Sequence, residues 1–433
     1  MTITIRAAVA ALVASTVVFA ACTRAESGDT TIGSALATTT TTAAPATTPT
    51  ASSPVVSTPT AESAATTVPA TETTETTTTT DTTEPIDTTD ATMAPTTEPP
   101  VVNVELACAR SIPLRERIAL LVWPAVYSAD WESAVSTVGS HLVGGVLLMR
   151  PTGWGPDDLR TGLARLDGAA RRGLVVATDE EGGAVQRLSM LGELPAQQDV
   201  SEQLAPAEAG RIIADHAVSV ADVGVDMVLG PVVDVVPADG DVPLTRSRFF
   251  TGDPTTVSAY ARAYVDAWRS AGLVPVLKHF PGHGGASGDT HDEQGVTAPI
   301  DELAARDLVP YREVGRTAVM VGHLTVPGLT DGLPATLSPE AIAYLRDDLG
   351  YADELVMTDA LGMQAVGLPE DAASVLAIAA GIDVVIFTNT AATASVIDGI
   401  ERAVSTGDLS EGRVDEAATR VLRLLEPAAC DIG

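Results

Sequence analysis

Eight short apolar runs recur between residues 118 and 387, at 118–123, 145–149, 174–178, 226–233, 273–277, 318–322, 355–357 and 383–387. They are separated by longer stretches of helical character. Strands that are apolar throughout, alternating with amphipathic helices, describe a parallel sheet whose outer face the helices cover. Eight such units in about 330 residues point to an α/β protein of the (β/α)8 TIM-barrel class. The intervening helices carry start and stop signals: 254–271 and 339–349 each begin near a proline and end near a glycine. A doubly wound open sheet is the structural alternative.

The reactive residue types fall where such a barrel would use them. Arg150, Asp179, Lys278, His279, His323 and Asp359 each stand at or just beyond the end of an apolar run, the position from which barrel active sites are built.

The rest of the chain cannot join this fold. Met1 to Arg6 carries one positive charge, residues 7–21 are apolar or small, and Cys22 follows Ala20 and Ala21. The apolar run is shorter than the roughly 20 residues that span a bilayer, so it reads as a secretion signal. Its ending, Val18-Phe19-Ala20-Ala21-Cys22, resembles a lipobox in which Cys22 is lipidated, although Phe19 is atypical. Ordinary cleavage nearby, leaving a secreted protein, is the alternative.

Residues 23–100 hold no Phe, Trp or Tyr, contain threonine runs at 38–42 and 76–80, and carry ten acids against one base. No core can form from this composition, and a disordered Thr/Pro/Ala-rich acidic stalk is expected. The organisation expected is therefore a signal over 1–22, a linker over 23–100 and a catalytic barrel over 101–433.

Of 25 basic and 57 acidic residues in the chain, 23 and 47 fall in this last part, a net of −24. That balance excludes a nucleic-acid partner, which needs a basic footprint. Cys108 and Cys430 lie near the two ends of the barrel segment. In an oxidising compartment they could pair and close the termini, a bridge worth on the order of 5 kcal/mol in the loop-entropy picture. Two free buried thiols are the alternative.

The most informative segment runs Lys278-His279-Phe280-Pro281-Gly282-His283-Gly284-Gly285-Ala286-Ser287-Gly288-Asp289-Thr290-His291, with three of the six histidines inside thirteen residues. Its glycines and prolines forbid regular structure and permit close approach to a ligand. Lys278 and His279 can donate hydrogen bonds to sugar hydroxyls. Asp289 can hold one imidazole nitrogen of His291 while the other serves as general acid and base. His279, His283, His291 and Asp289 could also form a metal-ligand set, but their spacing matches no compact metal motif, and none is expected.

Asp359, directly after the run at 355–357, can present a carboxylate nucleophile at the barrel mouth; capping a helix is its other reading. Asp179 and Arg187, eight residues apart, suit recognition of adjacent hydroxyls, or form a plain surface ion pair.

Taken together these segments resemble glycoside hydrolase family 3, specifically its single-domain bacterial β-N-acetylhexosaminidases. The resemblance rests on residues 278–284 with Asp289-Thr290-His291, on Asp179 to Arg187, and on Thr358-Asp359-Ala360-Leu361. Gly322-His323-Leu324-Thr325-Val326-Pro327 and Pro334-Ala335-Thr336-Leu337-Ser338 add to it. It implies Asp359 as nucleophile, His291 as acid/base with Asp289 as its partner, and Asp179, Arg187, Arg248, Lys278 and His279 as ligands of N-acetylglucosamine. Arg248 is placed by aligning Arg248-Phe249-Phe250-Thr251-Gly252-Asp253-Pro254 with the family's Arg-Ser-Phe-Gly-x-Asp-Pro. Arg246 is close by, Phe249 and Thr251 depart from the usual residues, and Ala184 stands where many members carry arginine.

The resemblance implies no metal and no organic cofactor. The expected partner is a glycan containing N-acetylglucosamine, met by a monomer outside the cytoplasmic membrane. A phosphorylase or a β-glucosidase of the same fold, and a non-catalytic wall-binding lipoprotein, are the alternatives.

Overall fold

The computed structural model of the protein describes residues 104–127, 131–149, 154–237 and 246–425. The signal-like segment with Cys22, the Thr-rich segment, Arg150 and Cys430 lie outside the described residues. Cys108 is disulfide-bonded.

Eight parallel strands form the centre: β1 (Val122–Tyr127), β2 (Gly145–Met149), β3 (Val175–Thr178), β4 (Met227–Val228), β5 (Val274–Phe280), β6 (Ala318–Val321), β7 (Val356–Thr358) and β8 (Val385–Phe387). Each strand from β1 to β6 pairs with the next, and β1 pairs with β8 through Val122 and Val385. A parallel bridge between Met357 and Val384 joins β7 to the start of β8 and closes the ring. That closure settles the choice between barrel and open sheet. The strands are buried almost throughout, because their own side chains fill the interior and helices such as Pro206–Asp222 and Pro254–Ser270 cover the outside.

Three expectations about strand limits need correction. The run at 118–123 is not one strand: Ile118, Ala119 and Leu120 end the helix Leu114–Leu120, and β1 begins at Val122 and continues past Trp123 to Tyr127. All three helix residues are buried, so an unbroken apolar run covers two elements that periodicity alone cannot separate. At 226–233, ladder pairing is confined to Met227–Val228, with a single further bridge from Val232 to Lys278. Pro231, which lacks an N–H, interrupts it. Conversely β5 runs on to Phe280, so Lys278 and His279 lie within its last residues and not beyond it.

At the N-terminal end of β8 the fully buried Asp383 carboxylate meets Arg346 at 2.7 Å, Arg413 at 2.5 Å and Arg420 at 3.0 Å. It also accepts the Val356 N–H at 3.0 Å. Strong polar structure at this end of a barrel serves stability and leaves the opposite, C-terminal face for chemistry.

Candidate active site

Asp179 follows β3 directly and begins a tight hairpin of Glu180–Gly182 against Val185–Gln186. Gly182 has φ +95, and a Cβ there would come within 2.2 Å of the Pro195 carbonyl oxygen, so this turn admits only glycine. The hairpin returns Arg187 to Asp179, whose Oδ2 accepts from its guanidinium at 3.0 Å. From β5, Lys278 Nζ donates to Asp179 Oδ1 at 2.8 Å and lies 2.6 Å from Glu181 Oε1. Arg248 closes the row with a two-pronged contact to Glu181, both bonds at 2.8 Å.

Three cations and two carboxylates therefore alternate across the C-terminal mouth: Arg187, Asp179, Lys278, Glu181, Arg248. Burial alone would raise both carboxyls. Lys278 and Arg187 hold Asp179 well below its ordinary value, and Lys278 and Arg248 do the same for Glu181. The surface-pair reading of Asp179 and Arg187 fails because both belong to this shared, largely buried row. Glu181 was not among the sequence-based candidates. Its signal was present: in an extended segment, residues two apart face the same side, so Glu181 follows Asp179. Glu180 points the other way, to the Leu188 N–H and to His216 at 3.3 Å.

Asp234, also unforeseen, organises the histidines. Its Oδ1 accepts the N–H of His279 at 3.1 Å and that of His283 at 2.7 Å, while Oδ2 takes His279 Nδ1 at 2.8 Å. Nδ1 is thereby the donor, and Nε2 is the atom His279 has left for a ligand. Burial would raise Asp234, and His279 and His283 bring it below its usual value instead. An acid inside the apolar stretch Val232-Val233-Asp234-Val235 was the clue.

Asp359 follows β7. Its N–H donates to the Val321 carbonyl at 2.9 Å, and its Oδ1 accepts the N–H of Ala360 at 2.7 Å. No helix starts here; the next element is the 3-10 turn Gln364–Val366, so the helix-cap alternative falls away. Burial would raise this carboxyl, but His279, His323, the Ala360 N–H and Lys278 together hold it below its ordinary value. His323 is buried beneath the same turn. Nε2 lies 3.0 Å from the Ala360 carbonyl and Nδ1 2.8 Å from Thr336 Oγ1. Burial lowers its pKa, and the Ala360 carbonyl takes a proton from Nε2.

The loop after β5 carries His291, whose Nδ1 is 2.7 Å from Asp289 Oδ1. The same oxygen accepts the His291 N–H at 3.0 Å. Burial would raise Asp289, but these bonds hold it below its ordinary value. The His291 side chain is 59 % exposed. The loop touches the segment beyond Asp359: Ala365 N–H donates to the Thr290 carbonyl at 3.3 Å, and Gln364 N–H to that of His291 at 3.4 Å. The three histidines of the metal alternative are each turned to a different partner, His279 to Asp234, His283 to Thr290 and His291 to Asp289.

An ionised carboxylate at one strand end, a histidine with its own carboxylate on the loop after β5, and a row of alternating charges between strands stand together at the C-terminal face of the barrel. The sequence profile of the "Glycosyl hydrolase family 3 N terminal domain" matches residues 113–424. The chain belongs to glycosyl hydrolase family 3. It is a glycoside hydrolase by that membership, and its relatives agree. It is 37 % identical over 357 residues to "Beta-hexosaminidase LpqI" of Mycobacterium tuberculosis (strain ATCC 25618 / H37Rv), across 76 % of this chain and 88 % of the relative.

Among solved family 3 structures, one from Mycobacterium smegmatis aligns with a TM-score of 0.68 at 37 % identity, covering 74 % of this chain and 99 % of that one. The structure described as "M tuberculosis LpqI" aligns at 0.69 with 35 % identity, over 75 % and 96 %. A β-N-acetylglucosaminidase from Paenibacillus sp. str. FPU-7 aligns at 0.68 with 27 % identity, over 74 % and 64 %.

Proposed function

We propose that this family 3 enzyme is a retaining β-N-acetylhexosaminidase that removes terminal β-linked N-acetylglucosamine from cell-wall-type glycans. The observation that carries the reading is the Asp359 carboxylate, held ionised at a strand end beside the loop that bears the Asp289–His291 couple.

In the first step Asp359 attacks the anomeric carbon as His291 gives its Nε2 proton to the departing glycosidic oxygen, leaving a covalent glycosyl-enzyme. In the second, His291 takes a proton from water, whose oxygen attacks the face that the leaving group vacated, opposite Asp359, and displaces the carboxylate, so configuration is retained. Asp289 orients the imidazole throughout by holding Nδ1. Asp179, Arg187, Arg248, Lys278 and His279 bind the sugar: the alternating charges offer donors and acceptors to adjacent hydroxyls, and His279 adds Nε2. Neither metal nor organic cofactor has a role in this scheme. Lipidation at Cys22 followed by an extended linker over 23–100 would tether the catalytic barrel outside the membrane, and a bridge from Cys108 to Cys430 would close its termini.

A second reading has an observation behind it. A neutral histidine base does not repel an anionic acceptor as a carboxylate would, and the site's fixed row holds one more cation than anion. Phosphate could then replace water, giving a phosphorylase. Nitrophenol release from 4-nitrophenyl β-N-acetylglucosaminide, with the sugar product weighed with and without phosphate, separates the two. Free N-acetylglucosamine in both buffers supports the hydrolase. A sugar 1-phosphate supports the phosphorylase. Cleavage of the β-glucoside alone would overturn the substrate, and silence on all would favour a binding protein.

A further inference from the structure

Thr290 stands between two open residues and is itself closed. The side chains of Asp289 and His291 are 35 % and 59 % exposed, whereas Thr290 is 1 % exposed. Its Oγ1 lies 3.0 Å from Nε2 of His283, which is also 1 % exposed. Nδ1 of His283 finds no hydrogen-bond partner among the described residues, so the threonine hydroxyl is what this buried ring is directed at. Burial keeps that ring from charging.

His283 is fixed from behind, its N–H donating to Asp234 Oδ1 at 2.7 Å. The Thr290 methyl lies over Gly295, where an added Cβ would come within 3.2 Å of it. Hydrogen bonds thus run from Asp234 through His283 to Thr290, and onward from the Thr290 and His291 carbonyls to the Ala365 and Gln364 amides just past Asp359.

We propose that the buried His283–Thr290 pair positions the acid/base, docking the loop that carries Asp289 and His291 against the turn that follows Asp359. Neither residue touches substrate; both act through His291. The proposal rests on the reading of His291 given above. A threonine that merely filled space would be replaced by valine, its near-isostere, with no selective effect on proton delivery.

The test compares Thr290→Val and Thr290→Ser with the full-length protein on two substrates. N,N′-diacetylchitobiose leaves as a poor alkoxide and needs a proton. 2,4-Dinitrophenyl β-N-acetylglucosaminide leaves unaided. Because kcat/KM reports on steps up to glycosylation, the base role of His291 in the second step does not enter. In Thr290→Val, kcat/KM for the disaccharide should fall on the order of tenfold, the weight of one buried hydrogen bond, and stay within about twofold for the dinitrophenyl substrate. Thr290→Ser, which keeps the hydroxyl, should behave as the parent. Amide hydrogen exchange at Gln364 and Ala365 should be faster in the valine variant by a similar factor.

Equal loss on both substrates, or no loss on either, overturns the proposal, as does unchanged exchange at those two amides. If the parent cleaves neither substrate, the assigned activity fails; the exchange measurement still decides whether the pair docks the loop.

Discussion

Replacing Lys278 by methionine removes one charge from the centre of the row while keeping most of its stem volume, so the effect is electrostatic and not a cavity. The Lys278 side chain is 2 % exposed, with Nζ 2.8 Å from Asp179 and 2.6 Å from Glu181. Taking one partner from a buried ion pair costs about 3–5 kcal/mol when the other is left alone. Here Arg187 remains on Asp179 and Arg248 on Glu181, so about 2–4 kcal/mol is expected.

The pH dependence has a definite sign. In the parent both carboxyls are depressed, so their contribution is present above the unfolded value and lost as pH falls through the folded one. Without Lys278 burial is less opposed and both carboxyls rise, so the variant recovers on acidification by taking up protons. The gap between parent and variant should therefore be widest near about pH 8 and narrow toward about pH 5, approaching the unfolded carboxyl range. Urea unfolding followed by circular dichroism at several pH values reads it. A gap below about 0.5 kcal/mol at every pH, the range of an ordinary surface change, or one that widens toward acid, would refute the reasoning.

Two further substitutions probe the ground beneath the histidine loop. Burial pushes the Asp307 carboxyl up to about 7, against Arg306 and with help from Asp234. Its contribution to stability is full below the unfolded value near about 4 and is lost as pH rises through about 7. Asp307→Asn should flatten that window and exceed the parent above pH 7 by about 1–4 kcal/mol; a parent more stable than the variant at about pH 8 would contradict this. Gly282 has φ +133, and a Cβ there would come within 2.5 Å of the Asp307 Cβ. Gly282→Ala should lower stability by about 2 kcal/mol or more, read as a melting temperature several degrees lower, and should reduce turnover with it.

What could be read from the sequence divides along the distance between interacting residues. Runs such as 145–149 and 318–322 are legible as strands because their burial on both faces is written in consecutive residues. The run at 118–123 misled because a buried helix end leaves the same trace. Asp289 and His291 are two residues apart, so their bond could be anticipated locally. Glu181 and Arg248 are 67 apart and Asp234 and His279 are 45 apart. Those pairs exist only once β3, β4 and β5 are side by side, and no local pattern records them. Thr290 gave no sign either: among exposed neighbours, only the fold shows that its hydroxyl points inward.

The central claim, that Asp359 forms a bond to the sugar, is open to one direct measurement. A 5-fluoro N-acetylglucosaminyl donor with a good leaving group slows hydrolysis of the glycosyl-enzyme more than its formation, so the intermediate accumulates. Proteolysis and mass spectrometry of the trapped full-length protein should find the sugar on the peptide containing Asp359, and Asp359→Ala should yield none. Turnover without any adduct, or an adduct on Asp179 or Asp289 with Asp359 unmodified, would contradict the account.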